Sequence, residues 1–209
     1  MAAISSLITE IRTDIGDDNS TRFTTDTPIL NVVKKAIRRA NRIAQRQGLQ
    51  FAKKKAVLST VANQAYLVLS TSIADFDVPI GMWRTDTHAK VPFRTEAEWE
   101  QIISAGGVNN ALLDYGNDKI QFNGTPSSIL TLNFWYYPTV DPSAYTTATE
   151  TPWDGRIDDI IMEYTINRLK NLDEMDVSYD TKLLTDMENQ LLQAYAPNAP
   201  TVVEGAGWL

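Results

Sequence analysis

The residues with the most pronounced chemistry in this sequence are basic, and they lie close together. Between Thr27 and Ala74 the chain carries nine Lys or Arg residues and no Asp or Glu. The net charge is −3 over residues 1–26, +9 over 27–74 and −13 over 75–209, although the whole chain is acidic at −7. Such an asymmetry governs surfaces and association more than fold. We therefore expect one positive and one negative surface, suited to another copy of the chain or to a partner with repeating charge.

Residues that support catalysis or metal binding are scarce. The chain has no Cys, which excludes thiolate metal sites and a Cys nucleophile. His88 is the single histidine, and no Gly-x-Ser-x-Gly elbow or glycine-rich phosphate loop is present. Asp154 and Asp158 are four residues apart, but nothing basic or aromatic marks a substrate cleft between them. We predict a protein that is not an enzyme and uses no cofactor or metal.

Hydropathy gives no sign of a membrane segment. No apolar run approaches the roughly 20 residues that span a bilayer. The first residues lack a basic region followed by an apolar one, so no secretory signal is expected. These patterns predict an aqueous, intracellular or particle-bound setting with no membrane partner.

A helix predicted over residues 27–47 positions most of the basic residues. Asp26 is its candidate N-cap, Pro28 lies in its first turn and Gly48 follows its end. Apolar residues recur at helical spacing along one face, namely Ile29, Leu30, Val33, Ala36, Ile37, Ala40, Ile43 and Ala44. The opposite face carries cations three, four or seven residues apart, namely Lys34, Lys35, Arg38, Arg39, Arg42 and Arg46. We call these six residues the basic face.

The whole pattern predicts an α+β fold. Helices are expected over residues 3–15, 27–47, 154–172 and 178–195, with a β-rich insert over residues 55–137. We expect one domain over residues 1–196, in which the N- and C-terminal helices form a bundle that carries the insert. An extended tail follows at residues 197–209.

Within the insert, the strand pattern predicts local pairings. Residues 56–61 and 65–69 flank Ala62-Asn63-Gln64 and are typical of a hairpin. Residues 111–115, 119–122 and 129–137 are typical of a meander. A short helix is predicted from Thr95 to Ser104, opened by a capping box between Thr95 and Glu98. In Phe134-Trp135-Tyr136-Tyr137 the rings alternate across a strand, so half of them face the core and half need other cover.

The order and spacing of these elements resemble the head–tail adaptor (connector) family of tailed bacteriophages. The first helix ends in Ile15-Gly16-Asp17, and Phe23 and Asp26 precede the Ala-rich second helix. The later parts of the resemblance are the segment closing on Tyr66, the turn from Asp75 to Pro79, Glu96 to Trp99, Leu113 to Gly116, the strand into Tyr136-Tyr137-Pro138, and a late helix opening near Pro152. The resemblance extends from about residue 3 to residue 196.

The resemblance implies a structural role in the virion. Proteins of this family form a ring, commonly of twelve copies, between the portal and the tail, where the ring extends the DNA channel and offers a platform for tail or nozzle proteins. It implies assembly in the host cytoplasm, residence at the head–tail junction, and transient passage of genomic DNA. Two alternatives are a nucleic-acid-binding module that uses the basic helix over residues 34–46, and a tail-side neck or completion protein.

The basic face admits three interpretations. It is a solvated helix face, a contact with an acidic surface of a neighbouring subunit or the portal, or a contact with DNA phosphates. DNA is favoured least, because no aromatic residues are interleaved for stacking and the acidic remainder of the chain offers a complement. The sequence therefore favours assembly over nucleic-acid binding.

The tail combines Pro and Gly with large apolar residues. Val202, Val203, Trp208 and Leu209 are costly to leave in water, and an extended segment with such anchors docks on a partner by strand addition or pocket filling. We expect residues 197–209 to grip the portal or the adjacent subunit.

Overall fold

A computed structural model describes residues 3–102, 108–171 and 177–195. This part of the chain is α+β, with six α-helices and two antiparallel sheets. The helices are α1 (Ile4–Asp14), α2 (Thr27–Gln47), α3 (Leu69–Ser72), α4 (Glu96–Ile102), α5 (Asp158–Lys170) and α6 (Val177–Tyr195). The strands are β1 (Lys54–Ser59), β2 (Tyr66–Val68), β3 (Phe76–Arg84), β4 (Lys90–Val91), β5 (Ala111–Asp114), β6 (Lys119–Phe122) and β7 (Thr131–Pro138). Short 3-10 turns cover Gln50–Ala52, Pro142–Ala144 and Pro152–Gly155.

The described residues form two compact units. The helical unit consists of the described residues of Met1–Ala52 and Val140–Leu209, and it contains α1, α2, α5 and α6. The β unit is Lys53–Thr139, and it contains all seven described strands together with α3 and α4. Two separate stretches of sequence thus build the helical unit, while one continuous stretch builds the β unit.

Helix α2 is the central element of the helical unit. It packs against α5, α6 and α1, and α1 also packs against α5. The predicted apolar stripe is buried, with Ile29, Val33 and Ile37 fully inaccessible to solvent. Burial of each such side chain contributes about 1.5–3 kcal/mol. The helix ends at Gly48, which adopts the left-handed conformation (φ 70°) and donates its N–H to Ala44 O. A side chain at that φ would be strained.

The start of α5 lies later than the sequence pattern suggests. Trp153 and Asp154 have φ of 59° and Gly155 has φ of 74°, so three successive residues take the left-handed conformation. Such a turn cannot belong to a right-handed helix. Helix α5 therefore begins at Asp158 and not at residue 154.

A buried ion-pair cluster fixes the segment between α1 and α2. Arg12 Nη1 donates to Asp17 Oδ2 at 2.6 Å and to Phe23 O at 3.0 Å, while Nη2 donates to Asp26 Oδ1 at 2.9 Å. Asp17 also accepts the N–H groups of Arg22 and Phe23. Burial alone raises the pKa of Asp17, but these N–H donors and the Arg12 charge outweigh it and lower the pKa.

This cluster explains why Asp26 does not act as the predicted side-chain cap of α2. Its carboxylate accepts hydrogen bonds from Arg12 and makes no capping bond to α2. Asp17, Phe23 and Asp26, which belong to the resemblance described above, therefore meet at one arginine.

The β unit contains two sheets that share one core. The four-stranded sheet has the order β1-β7-β3-β4, and the three-stranded sheet has the order β2-β6-β5. Both contribute to a cluster of buried side chains that includes Leu67, Met82, Ile120, Leu132 and Phe134. The sheets therefore hold each other's apolar faces out of water.

The predicted hairpin and half of the predicted meander are wrong. Strand β1 pairs with β7 and β2 pairs with β6, so the two strands flanking Ala62-Asn63-Gln64 lie in different sheets. Strands β5 and β6 pair as predicted, but β7 pairs with β1 and β3. Between β1 and β2 the chain passes from one sheet to the other, and there Thr60 N donates to Leu130 O and Asn63 N donates to Pro126 O. Partners distant in sequence therefore outcompete the local turn.

Two local predictions in the β unit are confirmed. Glu98 Oε2 accepts from Thr95 N and Oγ1 at 2.9 and 3.1 Å, which is the capping box at the start of α4. On β7, Phe134 and Tyr136 face the shared core while Trp135 is exposed on the other face. Tyr137 is nevertheless buried, and burial raises its pKa to about 12.

Candidate interaction surface on the basic helix

Part of the basic face is already engaged within the helical unit. Lys34 Nζ donates to Ser143 O at 3.0 Å, and Arg38 Nη2 lies 3.5 Å from Asp141 Oδ1. The pKa of Asp141 is lowered mainly by hydrogen bonds from Ser143, with a further contribution from Arg38. These contacts connect the basic face to the segment after β7, which is 109 residues away from Lys34 in sequence.

The C-terminal end of α2 is engaged by α6. Arg46 Nη2 and Gln47 Nε2 both donate to Glu188 Oε1, at 2.5 and 2.6 Å. The Arg46 hydrogen bond, followed by that of Gln47, lowers the pKa of Glu188. Because Arg46 is 63% exposed, this pair contributes at most about 1 kcal/mol to stability.

Three arginines of α2 line a groove between α2 and α6. The groove has a volume of about 410 Å³ and is lined by Arg39, Arg42, Ile43, Arg46, Leu184 and Glu188. The guanidinium of Arg39 lies 5.2 Å from the centre of the Tyr164 ring, a cation–π contact that orients it. We call this feature the arginine groove.

Arg42 is the groove cation best placed to meet a partner. It is exposed, and no described residue forms an ion pair or hydrogen bond with it. Guanidinium groups bind carboxylate or phosphate oxygens through two parallel hydrogen bonds. With Ile43 and Leu184 as apolar lining, the groove suits a carboxylate carried on a partly apolar surface.

The structure therefore divides the basic face into two parts. Arg39, Arg42 and Arg46 come together in the arginine groove, whereas Lys34 and Arg38 face residues 141–143. Lys35 is exposed and takes no part in either group. The predicted tail anchors Val202, Val203, Trp208 and Leu209 lie outside the described residues.

Sequence reasoning missed the internal partners Asp141, Ser143 and Glu188. The sequence indicates the acidic remainder of the chain as a complement of the basic face, but on a neighbouring subunit or the portal and not within the same chain. These internal acids offset part of the charge of the basic face, which weakens its attraction for a polyanion such as DNA.

The other chemical candidates from the sequence do not come together in the part of the chain that the structure describes. His88 is exposed in the turn between β3 and β4, with φ of 55°. Asp154 lies in the left-handed turn before α5, so it does not share a helix face with Asp158. Within residues 3–102, 108–171 and 177–195, no group of three or more His or acidic residues is arranged to hold a metal. No described helix combines the length and apolarity needed to cross a membrane.

A comparison with known protein families gives a match over nearly the whole chain. The family model described as SU10 adaptor protein matches residues 2–201. No curated protein matches the sequence.

Proposed function

The chain belongs to the SU10 adaptor protein family, a family of phage head–tail adaptors, and on this premise we propose a structural ring between portal and tail. The family match over residues 2–201 carries the proposal, and it confirms the resemblance seen in the sequence. The ring extends the DNA channel, offers a platform for tail or nozzle proteins, and contains about twelve copies as the resemblance implies. It assembles in the host cytoplasm and resides in the virion.

In this proposal the protein works by binding, with no chemical step. The N- and C-terminal helices act as one bundle within a single adaptor domain, residues 1–196, that carries the β-rich insert. The basic face meets an acidic surface of a neighbouring subunit or of the portal, and charge complementarity sets the rate of encounter and the register. The arginine groove supports this, because Arg42 is exposed and has no partner among the described residues.

The tail supplies a second contact in the proposal. Residues 197–209 dock on the portal or on the adjacent subunit through Val202, Val203, Trp208 and Leu209. Apolar anchors of this kind provide holding energy that is less sensitive to salt than ion pairs are.

The ring is tested by native mass spectrometry of the protein with purified portal. We expect a complex that contains many copies of the chain on one portal ring. A monomer both with and without portal contradicts the proposal. Localisation of the protein in electron micrographs of assembled particles separates this role from that of a tail-side neck or completion protein, which lies below the adaptor position.

The arginine groove is tested by charge reversal. Arg42→Glu is expected to reduce assembly on portal by about tenfold or more, because the new carboxylate repels the acidic partner surface that the groove is proposed to bind. Arg156→Glu is the matched control, since Arg156 is an exposed arginine of the helical unit outside the groove lining and outside α5 and α6. Equal assembly by the two variants removes the groove from the proposal.

The tail is tested by deletion of residues 197–209. The truncated protein is expected to lose portal binding while keeping the helical circular dichroism of the full chain. Unchanged binding by the truncated protein contradicts the tail contact.

The nucleic-acid alternative makes a different prediction. A DNA-binding module shows affinity for duplex DNA that falls steeply with salt and is lost on replacing Arg38, Arg39 and Arg42. Because internal acids offset part of the charge of the basic face, we expect weak DNA binding that does not depend on Arg42 more than on Arg156. A DNA affinity that falls steeply with salt and is lost specifically on replacing Arg42 favours the nucleic-acid-binding alternative.

A further inference from the structure

The outer face of the four-stranded sheet carries aromatic and basic side chains. Strand register places Lys55 and Gly81 on either side of Trp135, and Trp83 beside Lys90. These side chains lie on the face opposite Met82, Leu132 and Phe134, which belong to the shared core. We call this surface the tryptophan face and define it by Lys55, Val57, Gly81, Trp83, Lys90 and Trp135.

The two tryptophans are held by specific contacts within the β unit. Lys55 Nζ lies 6.0 Å from the centre of the Trp135 ring, and Lys90 Nζ lies 5.8 Å from that of Trp83. The Trp83 ring lies across Gly81, because a Cβ built there would be 2.5 Å from a carbon of that ring. Because Gly81 has no side chain, the Trp83 indole can lie along the sheet over this residue. Gly81 pairs with Trp135, so the Trp83 indole lies beside Trp135. The result is an aromatic surface with a cationic rim.

This surface remains accessible in the folded chain. Val57 is 64% exposed and Trp135 is 39% exposed. An exposed cluster of this kind marks an interaction surface, and tryptophan is enriched among the residues that carry binding energy. Strand β1 also forms an edge of its sheet, so its outer side has no neighbouring strand among the described residues. Apolar, aromatic and basic groups thus lie together where a partner has access.

We propose that the tryptophan face binds the α5–α6 surface of a second copy of this chain. The face carries Lys55 and Lys90 and no acidic member, so it calls for an acidic complement. The α5–α6 surface supplies one, since Asp159, Glu163 and Asp186 are all exposed. The inference rests on the proposed function, because it assigns the contact between neighbouring subunits of the proposed ring.

The two surfaces in this contact are different, which determines the symmetry of the assembly. A contact between unlike surfaces is heterologous, and repeated rotation through it yields a closed ring or an open filament. A contact between two identical faces yields only a dimer. The tryptophan face and the acidic surface lie on different units of the chain, as a heterologous contact allows.

The contact is tested by substitutions that spare the core. Val57→Glu, which places a like charge against the acidic surface, and Trp135→Ala are each expected to lower the occupancy of portal by the full-length protein at least about tenfold at subsaturating concentration. Tyr66→Ala is the matched control, because Tyr66 is 36% exposed and stacks with Lys119 at 4.6 Å on the other sheet. Native mass spectrometry counts the bound copies, and circular dichroism checks the fold. Val57 is exposed enough that its replacement tests the contact even if Trp135→Ala fails to fold.

A photo-crosslinker identifies the occupant. Benzoylphenylalanine in place of Val57 is expected to crosslink to α5 or α6 of another copy in the portal-bound complex, as read by mass spectrometry. A crosslink to portal, to another surface of the chain, or to nothing overturns the inference. Portal occupancy by Val57→Glu and Trp135→Ala equal to that of the wild type also overturns it. Failure of the proposed function is distinguishable, because there the wild-type protein itself does not assemble on portal.

Discussion

The ion-pair cluster around Arg12 gives the sharpest stability prediction. Arg12→Met keeps most of the buried aliphatic volume and removes all the hydrogen bonds from the guanidinium to Asp17, Asp26 and Phe23 O. The Asp17 side chain is 1% exposed, so its carboxylate loses its cation where water cannot replace it. The Asp26 side chain is 48% exposed, so water replaces much of that bond.

These contacts set the expected magnitude. Removing one partner of a buried ion pair costs about 3–5 kcal/mol. Two backbone N–H groups continue to hold the Asp17 carboxylate, which favours the lower end of that range. We therefore expect Arg12→Met to lower the free energy of unfolding by about 3 kcal/mol, or the melting temperature by about 6–12 °C.

The assay is urea unfolding followed by circular dichroism at the helical minimum. Arg46→Met is the matched control, because it makes the same change in the same helical unit at an ion pair of similar length. Arg46 is 63% exposed, so its loss is expected to cost less than about 1 kcal/mol. A cost for Arg12→Met no larger than that for Arg46→Met refutes the assignment of the cluster as a buried determinant of stability.

The pH dependence provides an independent check. The folded-state pKa of Asp17 is lower than its usual 3.8, so its stabilising contribution is fully present above that value. The contribution is lost as the pH falls through the lowered pKa. The difference in stability between wild type and Arg12→Met is therefore expected to be constant from about pH 8 to pH 5 and to shrink below about pH 4. A difference that grows in acid contradicts this cause.

Three further predictions concern single residues. Gly48→Ala is expected to lower the free energy of unfolding by about 1 kcal/mol, because φ at this C-cap is 70°, and urea unfolding measures the loss. Thr95→Ala is expected to cost about 1 kcal/mol in the β unit through loss of the capping box, as measured by tryptophan fluorescence during unfolding. Burial raises the pKa of Asp158 against the opposing Thr151 hydrogen bond, so the folded state holds the proton more tightly than the unfolded state. Asp158→Asn is therefore expected to stabilise the protein at pH 7 and to lose this advantage below about pH 4, as thermal unfolding at both pH values would show.

Each of these predictions has a distinct refuting result. Gly48→Ala with wild-type stability contradicts the strain assigned to the left-handed cap. Thr95→Ala without effect shows that α4 needs no capping box. Destabilisation by Asp158→Asn at pH 7 shows that the hydrogen bond from Thr151 outweighs the cost of burying the charge.

Local signals in the sequence predict the helices well. Helix α2 spans Thr27–Gln47, the range expected from its apolar stripe and its terminal Gly48. The stripe is buried as expected, apart from the partly exposed Leu30. Helix formation depends on neighbours three and four residues apart, so a short window of sequence contains most of the information. The start of α5 was missed because three successive left-handed residues, including Trp153, are not an expected sequence pattern.

Strand pairing is harder to predict, because it is decided by partners far apart in sequence. The sequence predicts β1, β2, β5, β6 and β7 close to their observed positions. The turn expected from Asp75 to Pro79 instead lies largely within β3, and β1 pairs with β7 and not with β2. A strand with one apolar face can pair with any strand that completes the same core. Here Leu58 meets Leu132 across the sheet, a contact between residues 74 positions apart. The turn residues 62–64 contain no information about whether β1 pairs with β2 or with the distant β7.

The same limit applies to the candidate site. Helical spacing placed the six cations on one face, but the internal partner of Arg46 is Glu188, which is 142 residues away. The tryptophan face was foreseen only in part, through the alternation of the rings on β7. Its second tryptophan, Trp83, joins the face through the pairing of β3 with β7, which the sequence did not reveal.

The division into two units has a consequence for synthesis of the nascent chain. The β unit is continuous, and its first and last strands are neighbours, because Lys54 pairs with Tyr136. Its core is therefore complete once residue 139 has left the ribosome. The helical unit has to wait, since α2 packs against α5 and α6. At about 5–20 residues per second, roughly 7–30 s pass between the synthesis of Gln47 and that of Tyr195, and α2 exposes its apolar stripe during that time. The early helices thus need protection during translation, whereas the inserted sheets do not.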